Sequence, residues 1–440
     1  SHSIQSNTRS SALGFRNNLA FMSEIKLEYG RESVSFAYDA ARFRVLEAEA
    51  KDVRPLTDVE IGAAIDAPVD SPPLEEITSP GDTVLIVVSD ATRASASAQL
   101  VNLLVRRLIE SGVSPIDINI IFATGIHRAV TLEEKRELLT PFIVQRIKTL
   151  DHDAYDASSM LRLGTTARGT PIEINRALKE HDHVILTGAI NFHYFAGFTG
   201  GRKSICPGLA SAQTIEATHM LALDYEQGGR RAGVGTGLLE GNAVHEECER
   251  VATEVAPSFL INAVVDERGR FVRIYAGDWR AAHRRACAEH MLEHCVEIEE
   301  KRAFVVASCG GSPWDINLIQ AHKSLDMAAH ACLEGGDIIL LAECAENFGR
   351  ADFLKWFDVR NSHALESRLR ERYEVSGQTA WSLLVKAEKF RVHLVSKLRD
   401  EDVRQMRMNP ARTIDEALAR SNQNAHGYIM PRASSLLPIT

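Results

Sequence analysis

The sequence lacks several features that would assign it to a class of protein at once. No apolar run approaches the roughly 18 residues of a membrane-spanning helix. The seven cysteines are scattered, odd in number and without a CxxC pair, so they suggest neither a zinc site nor a disulfide framework. There is no basic excess, because 50 Lys and Arg stand against 59 Asp and Glu, a formal net charge of −9. We therefore expect a cytoplasmic protein that binds neither nucleic acid nor a membrane.

The composition is that of an ordinary globular protein. At 440 residues, with 45% hydrophobic and 25% charged residues, the chain is long enough for two domains with large buried cores. Residues 1–24 differ from the rest because they are rich in Ser, Asn and Arg and lack the apolar stretch of a secretory signal. We expect these residues to be a disordered lead or a remnant of expression cloning.

From residue 25 onward the sequence alternates between strand and helix patterns. Two β-rich runs around Gly30 predict a hairpin, and the capping-box pair Thr131 and Glu134 predicts the start of a helix. Strands that alternate with helices favour an α/β fold with a parallel, doubly wound sheet, which binds ligands at the carboxyl ends of its strands. The other elements predicted in this half are strands at 83–89, 117–122 and 184–186 and a helix at 95–111.

A second alternating series begins near residue 302. We therefore predict two α/β domains with Rossmann-like parallel sheets and an active site in the cleft between them. The predicted N-terminal domain comprises residues 25–299 and 425–440, because the apolar last segment could return to it as a strand. Residues 300–424 form the predicted C-terminal domain, which would close over the cleft. Its predicted elements are strands at 303–307, 337–341 and 391–395 and helices at 316–329 and 380–389.

The most informative segment is GAINFHYFAGFTGGRKSICPG at residues 188–208, which follows an apolar run. It holds five glycines, four aromatic residues, one histidine and one lysine within 21 residues. Glycine allows positive φ angles and close approach of the backbone to a ligand. His193 can act as an acid or base near neutral pH, and Lys203 as a nucleophile or an anion-binding amine. This loop therefore predicts a site for a nucleotide-like ligand.

Part of this segment is similar to a phosphate-binding P-loop, whose pattern is GxxxxGK[ST]. Here GFTGGRKS at residues 197–204 has Arg202 where that pattern has its last glycine. The glycine lets backbone amides face the phosphates, so the replacement disfavours a P-loop. A nucleotide-dependent phosphotransferase stays open as an alternative, as does a glycine-rich turn with a structural role only.

Chemically reactive side chains follow the ends of four predicted strands or lie on the helices that come next. Except for His193 and Lys203, each of these side chains taken alone is more often a cap, a solvated charge or a structural histidine than a ligand. Their joint occurrence at successive strand ends predicts one site, because the carboxyl ends of parallel strands meet at one edge of a sheet. In chain order the candidates are Asp90, Arg93, His127, His193, Gly200, Gly201, Lys203, His219, Gln320 and Lys323.

Five motifs occur in a fixed order along the chain, and the most specific is HYFAGFTGGRKS at residues 193–204. Together they resemble the motifs of the nickel-pincer-nucleotide lactate racemases and their 2-hydroxyacid racemase and epimerase relatives. The resemblance extends from about residue 24 to residue 440. The supporting motifs are DATR at 90–93, ATGIHR at 123–128, GTPIEIN at 169–175 and GGSPWDIN at 310–317.

The resemblance implies a cofactor. In this family a lysine of the GGxKS turn is covalently tethered to a pyridinium-derived mononucleotide that carries nickel, and this lysine matches Lys203. A histidine sixteen residues further on, His219, completes the nickel coordination beside two sulfurs and one carbon of the cofactor. Four such ligands suit the square-planar preference of Ni(II). The cofactor-binding positions implied are Asp90, Gly200, Gly201, Lys203 and Gln320.

The resemblance also implies how a 2-hydroxyacid would be racemised. His127 and His193 match the two acid/base histidines, and Arg93 and Lys323 match the pair that orients the substrate carboxylate. Hydride transfer to the cofactor makes the unactivated C–H bond breakable through a 2-oxoacid intermediate. Each enantiomer presents its hydroxyl to a different base, so two histidines are needed, and an arginine offers the carboxylate a planar fork.

A few positions depart from the family pattern. Ile319 stands where the lactate enzyme has a tyrosine, and Phe192 stands where proline is common. Cys206 replaces a larger apolar residue. Trp356 and Trp381 are both candidates for the tryptophan that covers the cofactor. Because the first two changes alter the expected pocket, we predict that an apolar or larger substrate side chain is preferred over that of lactate.

These observations favour an isomerase whose partners are a small 2-hydroxyacid and the separate proteins that make the cofactor; an oligomer is compatible with them. A non-catalytic carrier of the cofactor or metal is a further alternative. A carrier needs only Lys203 and His219, whereas the sequence also has both candidate acid/base histidines.

Overall fold

The computed structural model describes residues 22–48, 54–89, 97–266, 268–422 and 424–440. The described chain begins with an antiparallel hairpin of β1 (Met22–Tyr29) and β2 (Glu32–Asp39), followed by β3 (Phe43–Val45). Gly30 has a φ of +59° at the turn, which glycine adopts readily. The predicted hairpin is confirmed. Residues 22–24, assigned above to a disordered lead, lie in its first strand; the rest of that segment falls outside the described residues.

The next part of the chain forms a first α/β unit around a sheet of six strands. Its elements are α1 (Asp58–Asp66), α2 (Leu74–Ile77), β4 (Val84–Ser89), α3 (Ser97–Glu110), β5 (Ile118–Ala123), α4 (Leu132–Leu139), α5 (Pro141–Arg146), β6 (Lys148–Leu150), β7 (Met160–Thr165), β8 (Pro171–Asn175), α6 (Ala177–Glu180), β9 (His183–Ala189), β10 (Phe192–His193), β11 (Gly197–Phe198), α7 (Ala212–Met220), α8 (Ala243–Val255), β12 (Phe259–Val265), β13 (Phe271–Gly277) and α9 (Ala281–His294).

The first sheet has the strand order β13-β12-β9-β4-β5-β6. All neighbours in it pair parallel except β13, which pairs antiparallel with β12. The central strand β4 reads VLIVV before its last residue and is fully buried, as expected for a strand covered on both faces. The carboxyl ends of β4, β5 and β9 therefore lie side by side at one edge, where the loops that follow them meet.

A second α/β unit completes the chain. Its elements are β14 (Cys295–Glu297), β15 (Arg302–Ser308), α10 (Leu318–Ala331), β16 (Cys332–Leu341), α11 (Ser362–Glu371), α12 (Val375–Lys389), β17 (Arg391–Val395), α13 (Asp400–Gln405), β18 (Asn409–Ala411), α14 (Ile414–Ala419), β19 (Gly427–Met430) and β20 (Leu437–Ile439). Its sheet has the order β18-β17-β16-β15-β19-β3, and every pair in it is parallel.

Segments near both ends of the described chain, β3 and β19, are strands of the second sheet, which corrects the predicted domain limits. Residues 425–440 do not return to the first sheet, because β19 inserts between β15 and β3. The β1–β2 hairpin packs on the same sheet, and its Leu27 and Phe36 share an apolar cluster with Phe304 and Ile429. This cluster buries the apolar side chains of both ends, which the local pattern alone could not assign to a partner.

The predicted α/β architecture is confirmed, and the strand predicted at 391–395 coincides with β17. The capping box of Thr131 and Glu134 opens α4 with both of its hydrogen bonds in place. Between residues 240 and 300 the structure also contains β12 and β13, for which no strands were predicted above. No helix in the described ranges is long and apolar enough to cross a membrane.

Candidate active site

The glycine-rich segment after β9 forms a tight, folded loop. It makes the small hairpin of β10 and β11 and then a 3₁₀ turn at Gly201–Ser204. Gly200 has a φ of +74°, and a Cβ atom there would lie 2.8 Å from Oδ1 of Asn262. A Cβ atom at Gly197 would lie 2.0 Å from the carbonyl oxygen of Leu238. The glycines are therefore required by close packing of the loop on neighbouring backbone and side chains.

The loop is built around Arg202, whose guanidinium is buried inside it. Arg202 donates hydrogen bonds to the carbonyl oxygens of Ala196 at 2.6 Å and Phe198 at 3.0 Å. Its Nη1 also lies 3.2 Å from Nε2 of His283. Burial lowers the pKa of the guanidinium from its usual value. Arg202 thus fixes the loop from within, a role that sequence comparison with a P-loop did not reveal.

A cavity of about 210 Å³ lies at the edge of the first sheet, where it meets the second unit. Five predicted site residues line this cavity: His127, His193, Gly200, Lys203 and His219. They come from the loop after β5, the loop after β9 and helix α7. The structure therefore brings together side chains separated by up to 92 positions in the chain (219 − 127), at the strand ends where they were expected.

His193 stands at the turn of the β10–β11 hairpin among aromatic rings. Its Nδ1 accepts a hydrogen bond from the backbone N–H of Ala196 at 3.2 Å, so the neutral ring carries its proton on Nε2. The ring stacks on Tyr194 with centroids 5.4 Å apart and meets the edge of Phe195 at 4.5 Å. These contacts fix the plane and the tautomer of the imidazole, as acid–base chemistry requires.

His127 is exposed and lies on the loop after β5, where it lines the same cavity as the glycine-rich segment. Its backbone N–H donates to the carbonyl oxygen of Thr124 at 2.9 Å. The same loop is tied to the glycine-rich segment, because the N–H of Gly125 donates to the carbonyl oxygen of Gly208 at 2.8 Å. A backbone hydrogen bond therefore joins the loop that carries His127 to the glycine-rich segment that carries His193.

Lys203 is a buried lysine at the cavity wall, with only 6% of its surface exposed. Its Nζ lies 5.7 Å from the centroid of the Phe195 ring. Its backbone is held on both sides, because its N–H donates to Gly200 and its carbonyl accepts from Gly208. The backbone of Lys203 is thus fixed at the cavity wall, where its amine can act as a nucleophile or bind an anion.

His219 lies in the last turn of α7 and is buried. Its Nδ1 donates to the carbonyl oxygen of Ile215 at 2.7 Å, which leaves Nε2 with the lone pair. Burial, with the positive charge of Lys203 as the smaller cause, lowers the pKa of His219 to about 3. A neutral imidazole whose other nitrogen donates to a backbone carbonyl is the usual arrangement of a metal-binding histidine.

The described ranges hold no group of three or more His, Cys, Asp or Glu side chains that could bind a metal. A metal ion at His219 would therefore take its further ligands from a bound cofactor or from residues outside those ranges.

The second unit supplies part of the cavity wall through α12. Val375 and Thr379 line the cavity, and Oγ1 of Thr379 lies 3.5 Å from the hydroxyl of Tyr194. The cavity is thus an interdomain site, as predicted. Sequence reasoning missed both residues, since a helix of ordinary composition gives no sign of which face meets a cleft in another unit.

Gln320 and Lys323 lie together on α10, where the lysine Nζ donates to the amide oxygen of Gln320 at 2.7 Å. Three positions apart, they share one face of this helix, but neither lines the cavity. Asp90 and Arg93 lie outside the described residues. Ser89, the last described residue before them, does line the cavity.

The residues that depart from the family pattern also lie away from the cavity wall. Phe192 is buried against Phe198 and His290, with ring centroids 5.5 and 4.7 Å apart, and Ile319 packs on the core of the second unit. Trp356 and Trp381 are both buried in that core. None of the four lines the cavity. Phe192 and Ile319 therefore give no structural support to a preference for a larger substrate side chain.

Known proteins similar to this chain match it over most of its length. The sequence profile of the lactate racemase N-terminal domain matches residues 29–229, and that of the lactate racemase C-terminal domain matches residues 298–429. A lactate racemase of Thermoanaerobacterium thermosaccharolyticum is 31% identical over 411 residues, which cover 90% of this chain and 94% of that protein. This chain belongs to the lactate racemase family. A second member, the lactate racemase of Lactiplantibacillus plantarum, is 31% identical over 93% of this chain and 98% of its own length.

Solved structures extend the comparison to the fold. The lactate racemase apoprotein from Thermoanaerobacterium thermosaccharolyticum superposes with a TM-score of 0.86 at 28% identity, covering 95% of this chain and all of that one. A Thermotoga maritima protein, at 17% identity and a TM-score of 0.64, covers 88% of this chain and 98% of its own, and shows the fold alone. As a member of the lactate racemase family, this protein is a racemase and therefore an isomerase.

Proposed function

We propose that this protein racemises or epimerises a 2-hydroxyacid with a nickel-pincer nucleotide that is tethered to Lys203 and ligated through nickel by His219. The observation that carries the proposal is the single cavity lined by His127, His193, Lys203 and His219. When bound, this cofactor would supply a pyridinium-like acceptor for the hydride on C2 of the substrate. The site must also bind and orient the substrate and transfer protons, which this chain's own residues can do.

The residues present fit the cofactor. Lys203 offers an amine at a fixed place in the cavity, and Nε2 of His219 offers a neutral nitrogen donor. A metal already held by two sulfurs and a carbon needs one protein ligand to become four-coordinate, and a single imidazole would supply it. The hydrogen bond from His219 to the carbonyl of Ile215 would keep the ring oriented toward that metal.

His127 and His193 are proposed as the two proton-transfer groups. One imidazole would take the hydroxyl proton of one enantiomer, and the other would return a proton to the opposite enantiomer. Because Nδ1 of His193 accepts the N–H of Ala196, Nε2 is the nitrogen that would exchange a proton with the substrate. The aromatic rings of Tyr194 and Phe195 limit water around it, which favours transfer to substrate over transfer to solvent.

Arg93 and Lys323 are proposed to bind the substrate carboxylate, with Asp90 and Gln320 beside the cofactor. Lys323 and Gln320 are hydrogen-bonded to each other on α10 outside the cavity wall. Their participation would therefore require movement of α10 or of these side chains toward the cavity, consistent with a cleft that closes on its substrate.

The alternative functions receive less support. A P-loop lysine is followed directly by a long helix whose N-terminus binds phosphate, whereas Lys203 lies in a four-residue 3₁₀ turn and the next helix begins at Ala212. A carrier without activity would not need His127 and His193 at the same cavity as Lys203. We further propose a cytoplasmic location and dependence on separate cofactor-making proteins. We propose 2-hydroxyacids as the substrate class without a preference for a larger side chain, because Phe192 and Ile319 do not line the cavity.

The test is racemisation of a panel of single-enantiomer 2-hydroxyacids by protein made together with the cofactor-synthesis proteins, using substrates deuterated at C2. We expect racemisation of at least one of them with deuterium retained at C2. His127→Gln and His193→Gln should each reduce turnover in both directions by about 10²–10⁴-fold. Rapid exchange of C2 deuterium with solvent would contradict hydride transfer, and no racemisation of any substrate by the loaded protein would contradict the proposed function.

A further inference from the structure

The stretch between α7 and α8, residues 221–242, contacts the second unit near the active site. The backbone N–H of Gly229 donates to Oε1 of Glu366 at 3.0 Å. The carbonyl oxygen of Tyr225 accepts a hydrogen bond at 2.6 Å from Arg370, which lies on α11. We call residues 221–242 the seam segment. Besides these polar contacts, its Leu223 and Leu239 are buried in the apolar cluster of the second unit.

Arg230 of the seam segment contacts both the active-site loop and the second unit. Its Nη1 donates to the carbonyl oxygen of Tyr194 at 3.0 Å, and its guanidinium lies 5.9 Å from the centroid of the Tyr194 ring. Its Nη2 lies 3.4 Å from Oγ of Ser382 on α12 and 3.8 Å from Oδ1 of Asp326 on α10. Tyr194 directly follows His193, so one side chain links that loop to two helices of the other unit.

Asp326, on α10, is the acidic partner of Arg230 in the second unit. It is buried, with Nζ of Lys386 at 2.7 Å and the hydroxyl of Thr236, in the seam segment, donating to it at 2.7 Å. Burial alone would raise the pKa of Asp326, but Lys386 and Arg230 hold it well below its usual range. The carboxylate therefore stays ionised, and its two contacts to the first unit exist only when the units are together.

We propose that Arg230 is a positioning residue that couples closure of the two units to the placement of the loop carrying His193. With the units together, Asp326 and Ser382 orient the guanidinium toward the carbonyl of Tyr194. With the units apart, Arg230 loses both partners and the hydrogen bond to Tyr194 weakens. The histidine would then be held in its working position only in the closed state. The role assigned to His193 rests on the proposed function, whereas the mechanical coupling does not.

The coupling can be measured without any cofactor or substrate. The backbone amides of Phe198 and Thr199 are hydrogen-bonded within the loop, to the carbonyls of Ala196 and Asn191, both at 2.9 Å. Their hydrogen–deuterium exchange in the full-length chain reports opening of the loop. Losing a charge-assisted hydrogen bond to the loop backbone should accelerate this exchange about tenfold or more in Arg230→Met.

Arg370→Met is the matched control. Arg370 also bridges the two units through a backbone carbonyl and packs 4.1 Å from the centroid of an aromatic ring, that of Tyr225, but it does not touch the His193 loop. We expect loop exchange in this variant to match that of the wild type. Arg230→Lys, which keeps the charge but cannot form the same fork, should give an intermediate rate.

Unchanged loop exchange in a folded Arg230→Met protein would overturn the proposal, and so would equal acceleration in the Arg370→Met control. If Arg230→Met failed to fold, the Arg230→Lys variant would decide in the same way. In protein that racemises a 2-hydroxyacid, Arg230→Met should lower kcat about tenfold or more with a smaller change in KM, and equal kcat would overturn the coupling. If the protein racemises no substrate, the proposed function is wrong, but the exchange experiment still tests the coupling through Arg230.

Discussion

Replacing Arg202 with methionine should destabilise the protein, because the arginine is the internal support of the glycine-rich loop. The side chain is buried and donates to the carbonyls of Ala196 and Phe198. Methionine has a similar length and no donor. The carbonyl of Ala196 keeps a second partner, the N–H of Phe198, whereas that of Phe198 loses its contact to the guanidinium.

The size of the effect follows from these contacts. Two hydrogen bonds from a charged donor are worth about 1.5–3 kcal/mol each, a gross loss of about 3–6 kcal/mol. Removing the need to desolvate a guanidinium returns part of this. We expect the free energy of unfolding to fall by about 2–4 kcal/mol, and by less in Arg202→Lys, which keeps one donor group near the loop.

The assay is urea unfolding followed by circular dichroism, with Arg285→Met as the control. Arg285 is 60% exposed on α9 and pairs with Glu289 one turn away, so its loss should change stability by less than about 0.5 kcal/mol. A change in Arg202→Met no larger than that of the control would refute the reasoning that the buried guanidinium supports the loop.

Three further predictions follow from particular contacts. Gly197→Ala should displace the loop, since its Cβ would lie 2.0 Å from the carbonyl oxygen of Leu238, and the melting temperature should fall; an unchanged value would contradict this. Lys323→Met should raise KM for every 2-hydroxyacid accepted, and unchanged kinetics would remove the residue from the proposed site. Stability should fall between pH 6.5 and 4 by up to about 1.4 kcal/mol per pH unit for each histidine that burial holds neutral, because only the unfolded state takes up these protons; urea unfolding at several pH values checks this, and a flat profile would contradict it. Among the histidines whose pKa burial lowers to about 2 or 3 are His245, His283 and His290.

Local patterns predicted the elements and the strand-end location of the site. The buried run of β4, the capping box at Thr131 and the strand at 391–395 depend on nearest neighbours in sequence, so the sequence alone was enough. His127 and His193 were placed at one cavity because parallel strands align their carboxyl ends at one edge of a sheet.

The features that sequence reasoning missed depend on partners far away in the chain. The place of β19 between β15 and β3 is a choice between two sheets, which its own apolar residues do not determine. Arg202 looks like a surface or ligand-binding cation until its acceptors, all backbone carbonyls of a folded loop, are seen. Val375 and Thr379 line the cavity only because α12 meets the first unit.

The most direct test of the central claim is the intact mass and nickel content of the protein made together with the cofactor-synthesis proteins. The account predicts a mass above that of the 440-residue sequence and about one nickel per chain. Lys203→Ala should abolish the added mass, and His219→Ala should keep the adduct but lose nickel. An active wild-type protein with the mass of the bare chain, or an adduct that persists in Lys203→Ala, would contradict it.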